Sequence, residues 1–280
     1  MHALQPELPT CDQQREVTLL FADLRGFTEL ATTLDMDPLF CELLSHVMDC
    51  LTEAVVEMDG FVIDYYGDGL MAMWNAPREQ SGHAELACLA GLEMLAKLPE
   101  VQAEWYRIIQ TELRIGIGVH TGSVQIGNAG STQRVKYGAR GPNVHIASRV
   151  ETATKELHVP LVATQPTVEM LSETLATHRV CRARMPGLQK AVDLFAVSAV
   201  NDDPALASAW KVYDSALLEF EAGNFQATAD VLAGIETRFT EIPKQFLLER
   251  AHQEIGRHLR RRSTDKPAVT SGGEIPITTK

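Results

Sequence analysis

The chain has 280 residues, room for one generous domain and an appendage at about 150 residues per domain. Its 25 basic and 37 acidic side chains leave a formal net charge of −12, which excludes the basic face that non-specific nucleic-acid binding requires. At 45% hydrophobic and 22% charged it has the composition of a soluble globular protein, with no apolar run near the ~18 residues of a membrane span and no signal-peptide core.

Residues 1–14 carry prolines and polar side chains and read as an N-terminal tail. EVTLLFAD (16–23) is an apolar β run ending in an aspartate. Beyond it, Phe40, Leu43, Leu44, Val47, Leu51, Ala54, Val55 and Met58 recur at helical spacing and predict a long amphipathic helix, ended by Asp59-Gly60. FVIDYY (61–66) and LMAMW (70–74) predict two strands joined at Gly67-Asp68-Gly69, a tight turn that projects Asp68. A helix over about 83–98 follows. LRIGIGVHTG (113–122) and SVQIGN (123–128) predict a further β pair around Thr121-Gly122. NVHIASRVETATKEL (143–157) is helical, opened by Gly141-Pro142. LVAT (161–164), a short helix near 166–173, HRVCRA (178–183) and VDLFAV (192–197) complete an α+β pattern with a largely antiparallel sheet covered by helices.

Asn201-Asp202-Asp203-Pro204 marks a boundary, so the expected domains are a tail at 1–14, a main domain at 15–200, a helical segment at 201–260 and a disordered tail at 261–280. In the helical segment, Trp210, Tyr213, Leu217 and Phe220 share one face. Phe225, Ala229, Leu232, Ile235 and Phe239 share another, and Leu248, Ala251, Ile255 and Leu259 a third. Three such helices resemble a fragment of a tetratricopeptide-type array. They are too few to bury their own apolar faces, so they are expected to lie on the main domain or on a protein partner. The five cysteines are scattered, odd in number and lack a CxxC, which points to reduced thiols in a cytoplasmic compartment and not to disulfides or zinc.

The chemistry concentrates in two segments whose aspartates, Asp23 and Asp68, lie 45 residues apart. Each sits in a glycine-bearing bend at the end of an apolar run. Alone, Asp23 is as well explained as a helix cap and Asp68 as a turn residue. Together they suit a divalent metal, and a metal beside an open backbone turn suits a nucleoside triphosphate. The amides of Arg25, Gly26, Phe27 and Thr28, at a helix start, are placed to cradle phosphate oxygens. His145 and Arg149 are four apart and share a helix face.

In order and spacing, FADLRGFT, YYGDGLMAMW, GIGVHTGSVQIGN and NVHIASRVE resemble the signature segments of class III purine nucleotide cyclases, over about 16–198. The resemblance implies a ferredoxin-like catalytic domain that makes a 3′,5′-cyclic nucleotide and pyrophosphate with two Mg²⁺ or Mn²⁺ ions per site. It assigns the metal to Asp23 and Asp68 with the Leu24 carbonyl, the transition-state role to Arg149, and ribose orientation to His145, where the family usually has asparagine. It places base selection at Asp64 and Gly138, with Lys136 nearby. A carboxylate at Asp64 can accept from the N1–H and exocyclic amine of guanine, so GTP is favoured over ATP. A pairing of Asp64 with a strand neighbour is the competing reading, as is a pairing of Arg149 with Glu151 or Glu156. Pro186 stands where the family commonly has a phosphate-binding lysine, with Arg184 or Lys190 as substitutes. Because the family draws the metal aspartates and Arg149 of one site from different subunits, the resemblance also implies a head-to-tail homodimer. A catalytically degenerate nucleotide-binding or dimerising module is the alternative, supported by the departures at Asp64, Gly138, His145 and Pro186.

Overall fold

The structure, a computed structural model, describes residues 13–27, 38–130, 135–201, 203–262 and 273–278. It divides into two compact units, one holding 1–155 and 160–173 and the other 156–159 and 174–280.

The first unit is built on β1 (Gln13–Leu24), whose central residues are buried on both faces. It pairs antiparallel with β3 (Gly69–Trp74) on one edge and with β4 (Ile115–Gly130) on the other, and β2 (Phe61–Tyr66) lies outside β3. The far edge of β4 is shared. Its first half pairs in parallel with β6 (Leu161–Thr164), and its second half antiparallel with β5 (Val135–Arg140). Two helices, α1 (Pro38–Glu57) and α2 (His83–Ile109), pack on each other, and α2 lies against β1, β3 and β4. The expected stripe of α1 is its buried face, from Phe40 to Val55. Asp59, at φ 56°, and Gly60 end the helix, and the Gly60 amide donates to the Val55 carbonyl at 2.8 Å.

The opposite face of the sheet receives α3 (Pro142–Leu157), and glycine makes this possible. On β4, Gly118 and Gly122 alternate toward α3. A Cβ at Gly118 would lie 2.6 Å from the Glu151 Cα, and one at Gly122 would lie 2.7 Å from the Asn143 side chain. Helix and strand therefore meet backbone to backbone. Between these glycines His120 is buried, joined to Thr164 at 2.7 Å and to Asn143 of α3 at 3.0 Å.

The predicted hairpin at Thr121-Gly122 does not form. β4 runs unbroken and pairs with β1 from Gln13 to Leu24. Gly122 is small because Asn143 stands over it, not because the chain turns there. The helix expected to end near residue 98 continues through Pro99 to Ile109. The last helix of this unit, α4 (Gln165–Val168), is a single turn, shorter than the expected 166–173.

In the second unit, β7 (Leu175–Arg184) pairs antiparallel with β8 (Val192–Ala199). Then come α5 (Pro204–Glu221), α6 (Phe225–Leu232) and α7 (Lys244–Arg262). Asp203 caps α5 through the Ala205 amide at 2.9 Å, with Pro204 in the first turn. The apolar face of α5 lies on β7: Trp210 stacks on His178 at 4.1 Å, and the buried Tyr213 hydroxyl donates to the Val180 carbonyl at 2.9 Å. Arg179 ties the layers together, bonding Asp193 of β8 at 2.6 Å and Glu221 of α5 at 2.7 Å. The compact unit thus joins the helices to strands expected in the domain that ends at 200.

The expectation of a disordered tail from 261 is corrected at 273–278. There β9 (Ile275–Pro276) pairs in parallel with β7, opposite Ala183 and Arg184. Ile275 and Ile277 are each 1% exposed, and burial of two branched side chains is what orders so short a strand.

Candidate active site

Asp23 is the penultimate residue of β1, and its neighbours in register on both sides are glycines, Gly69 of β3 and Gly116 of β4. A Cβ at Gly69 would stand 2.9 Å from an Asp23 carboxylate oxygen, so the small residue leaves the carboxylate open. Asp68 projects from the Gly67-Asp68 turn between β2 and β3, with Gly67 at φ 64°. Asp23 feels the charge of Asp68. Burial pushes Asp23 up to about 6, Asp68 adds to the rise, and Arg25 opposes it. Asp68 is likewise raised by burial, against a lowering from its own backbone and from Arg25.

The pair fits a hard divalent cation. Both carboxylates are partly desolvated, and among the described residues neither has an ion-pair partner, so the site is short of positive charge. Both offer oxygen, the donor type Mg²⁺ and Mn²⁺ prefer. Among the described residues no cluster of three or more His, Cys, Asp or Glu side chains could hold a metal. Further ligands would then come from main chain, water or substrate phosphates, as Mg²⁺ commonly accepts. Leu24, whose carbonyl is the expected third ligand, ends β1 with its side chain buried.

The expected phosphate cradle is corrected at Arg25. Its amide already donates to the Arg114 carbonyl at 2.7 Å, and its guanidinium turns to α3. There it donates to the Glu151 carbonyl at 3.1 Å and to the Thr154 hydroxyl, and lies 2.8 Å from the Glu151 carboxylate. Gly26 is exposed at φ 72°, and Phe27 packs on Phe40 at 4.9 Å between ring centres. Thr28 lies outside the described residues.

Asn143, Ala147, Glu151 and Thr154 form the sheet-facing side of α3. His145 and Arg149 lie off that side: His145 is exposed, Arg149 half-buried, and neither has an ion-pair partner among the described residues. The competing pairing of Arg149 with Glu151 or Glu156 does not occur, since Glu151 pairs with Arg25 and Glu156 with Arg250.

At the base-selecting positions, Asp64 pairs with Lys136 of β5 and accepts the Tyr65 amide at 3.0 Å. Its carboxylate is therefore not free, and its partner belongs to β5, a strand that pairs with β4 and not with β2. Gly138 lies opposite Gly127 of β4, and a Cβ there would meet the Ile63 side chain at 2.9 Å. Arg184, the substitute phosphate ligand, lies in the second unit and pairs with Glu274 at 2.8 Å through its Nε. It is committed to the β9 segment.

Glu151, Thr154 and Gly116 were missed as site residues. Their one signal in the sequence is the glycine alternation on β4, which marks a close helix contact without naming the helix. Burial pushes Glu151 up to about 7, the Arg25 charge opposes that, and Asp23 adds to it.

The scaffold is that of a nucleotide cyclase catalytic domain. The chain matches the model of the adenylate and guanylate cyclase catalytic domain over residues 10–198, and it belongs to that family. Adenylate cyclase 1 of Rhizobium meliloti (strain 1021) is 30% identical over 187 residues, 67% of this chain and 28% of the relative. The adenylate cyclase of Anabaena cylindrica is 29% identical over 194 residues, 66% of this chain and 37% of the relative. The chain thus corresponds to well under half the length of either. Among solved structures, the guanylyl cyclase Cya2 aligns with a TM-score of 0.57 at 27% identity, over 69% of this chain and 96% of that one. The adenylyl cyclase CyaB from P. aeruginosa shares the fold, with a TM-score of 0.63 at 24% identity over 69% of this chain and 98% of the other. Among the described residues no helix is long and apolar enough to cross a membrane.

Proposed function

We propose that the chain converts a purine nucleoside triphosphate, GTP in preference to ATP, to its 3′,5′-cyclic monophosphate and pyrophosphate, at sites formed head to tail between two copies. The observation that carries this reading is the register that sets Asp23 opposite Gly69, the residue after Asp68, bringing to one strand end two partly buried carboxylates with no ion-pair partner among the described residues. Asp23, Asp68 and the Leu24 carbonyl are the groups that would hold Mg²⁺ or Mn²⁺. Bound there, the metal lowers the pKa of the ribose 3′-hydroxyl and neutralises the triphosphate.

In the reaction the 3′-oxygen loses its proton and bonds to the α-phosphorus. The bond from the α-phosphorus to the bridging oxygen breaks, and pyrophosphate leaves. Arg149 of a second copy would aim its fork of donors at the charge building on the phosphorus. His145 would donate one hydrogen bond to the ribose. The outward setting of both residues, away from the sheet of their own protomer, supports a role in a partner's site. The amides of Gly26 and Phe27 are left to receive phosphate oxygens.

The preference for GTP rests on Asp64. Its pair with Lys136 is solvent-exposed, at 54% and 40% for the two side chains, and such pairs are worth about 0–1 kcal/mol. Guanine could displace the ammonium and donate its N1–H and amine to the carboxylate. The second reading is ATP, favoured by Lys136 itself, a donor beside the base edge that suits adenine N1, and by the names of the two relatives. A cytoplasmic setting is supported by the buried free thiols of Cys50, Cys88 and Cys181.

The test is cyclic product formation by purified protein with Mg²⁺ or Mn²⁺ and either GTP or ATP, alongside Asp23→Ala. GTP turnover that Asp23→Ala abolishes supports the proposal. No product from either nucleotide sinks the enzyme reading and leaves the degenerate module. Equal use of both nucleotides sinks base selection through Asp64.

A further inference from the structure

We infer that Glu151 and Thr154 are positioning residues that hold Arg25 off the metal carboxylates, keeping Asp23 and Asp68 open to a divalent cation. The inference rests on the metal reading of those two aspartates.

Arg25 stands two residues from Asp23, and its charge acts on both Asp23 and Asp68. A guanidinium so placed has an obvious alternative partner, because its planar fork matches a carboxylate with two parallel hydrogen bonds. In that arrangement the protein would supply its own cation, and a metal would have to displace it.

The fold closes off this alternative in three ways. The guanidinium is lodged over Gly116, in space that a Cβ would fill, so the side chain runs toward α3. Its Nη2 donates to the Glu151 carbonyl at 3.1 Å and to the Thr154 hydroxyl, which itself donates to that carbonyl at 2.6 Å. Its charge is balanced by the Glu151 carboxylate at 2.8 Å, whose side chain is only 10% exposed.

The last contact is unusual for a purely structural tie. The Glu151 Oε1 atom lies within ion-pair distance of Arg25, yet it accepts no hydrogen bond. The Nη2 N–H groups point instead at the neighbouring carbonyl and hydroxyl. The other Glu151 oxygen, Oε2, accepts from the Thr152 hydroxyl of the same helix at 3.2 Å, so toward Arg25 the carboxylate acts through its charge. A buried charge is an expensive way to join a loop to a helix, and apolar packing commonly serves as well or better. What the carboxylate does here that an apolar residue cannot is retain a guanidinium. Arg25 is then close enough to ease the repulsion between Asp23 and Asp68 and too constrained to occupy them.

Mn²⁺ binding to the purified chain, without nucleotide, tests this by electron paramagnetic resonance or titration calorimetry. Glu151→Gln, shown by circular dichroism to fold, is expected to bind Mn²⁺ roughly 10- to 100-fold more weakly, because Arg25 is released toward the aspartates. Adding Arg25→Leu to Glu151→Gln is expected to restore most of that loss, a recovery that a merely structural role would not produce. If Glu151→Gln does not fold, Thr154→Val with and without Arg25→Leu is read in the same way, since it removes one acceptor and keeps the shape. Unchanged affinity in the single variant overturns the inference, as does a double variant no better than the single. Wild-type protein that binds no Mn²⁺ overturns the metal reading and the inference with it. Wild-type binding with an indifferent Glu151→Gln overturns the inference alone.

Discussion

Gly118 of β4 and Glu151 of α3 meet with no side chain between them: a Cβ on Gly118 would stand 2.6 Å from the Glu151 Cα. The contact seats the helix that carries Arg149 and His145, and presents Glu151 to Arg25. Because the obstacle is helix backbone and not the tip of a flexible side chain, α3 must shift to admit even a methyl group. Gly118→Ala is therefore expected to destabilise the first unit by about 1–3 kcal/mol and to weaken Mn²⁺ binding as well. Thermal melting and Mn²⁺ titration check both effects, and an unchanged melting temperature would rule out the tight contact.

Arg149 makes no ion pair within its own protomer among the described residues, so Arg149→Ala is expected to change stability by no more than about 0.5 kcal/mol. Cyclic product should nonetheless fall by roughly 10²-fold or more, the usual scale for removing a preorganised transition-state donor. Mixing the Arg149→Ala and Asp23→Ala proteins gives a sharper test. In a head-to-tail dimer the mixed species holds one intact site, and random exchange should return about a quarter of wild-type activity. Two inactive proteins that stay inactive after subunit exchange would exclude the shared site.

His120 is buried between Thr164 and Asn143, and His83 is buried against Thr18 at 2.8 Å. Burial lowers the pKa of both rings below the usual 6.5; Asn143 partly offsets it at His120, and Glu16 at His83. The folded state thus holds these rings neutral while the unfolded chain protonates them near 6.5. The unfolded state binds more protons, so their contribution to stability is complete above that pH and is lost as pH falls below it. Asp23 and Glu151, raised to about 6 and about 7, act with the opposite sign in the same window, so the histidine contribution is read as a difference. His83→Gln is expected to lose less melting temperature than the wild type, or gain more, between pH 7.5 and pH 5.5. An equal pH profile in the variant would show that His83 does not carry the effect.

The C-terminal strand is expected to stabilise the second unit. Removing residues 273–280 uncovers the surface that Ile275 and Ile277 bury, at an expected loss on the order of 2 kcal/mol. Glu274→Gln, which removes the charge from the partly exposed pairings with Arg184 and Arg182, is expected to cost under about 1 kcal/mol. Hydrogen exchange at Ala183 and Arg184, the residues opposite the strand, reads the difference directly. The same geometry makes deletion of 201–280 a poor probe of regulation, because it would strip α5 from β7 and leave the Val180 carbonyl without the Tyr213 hydroxyl.

Much of the candidate site was legible in the sequence because its signals are local. A strand that ends on an aspartate before glycine, and an Asp-Gly turn between apolar runs, are readable over a few residues. The misread hairpin at Thr121-Gly122 shows where local signals mislead. Glycine serves equally for a turn and for a helix pressed against a strand, and only Asn143 across the gap tells them apart. β5 and β9 escaped notice for a related reason. VKYGAR carries a glycine and two cations, and Ile275–Pro276 is two residues long, so each is a strand only because a distant partner pairs with it.

The sequence by itself determined the α+β class, the family, the positions of Asp23 and Asp68, and the helix that carries Arg149, all of them matters of spacing and turn chemistry along the chain. Tertiary structure decided which charges meet. It turned Arg25 to Glu151, gave Asp64 to Lys136 and Arg184 to Glu274, and left Arg149 without an ion-pair partner among the described residues. Charge pairing depends on distance through space, and a chain of letters records only distance along the backbone.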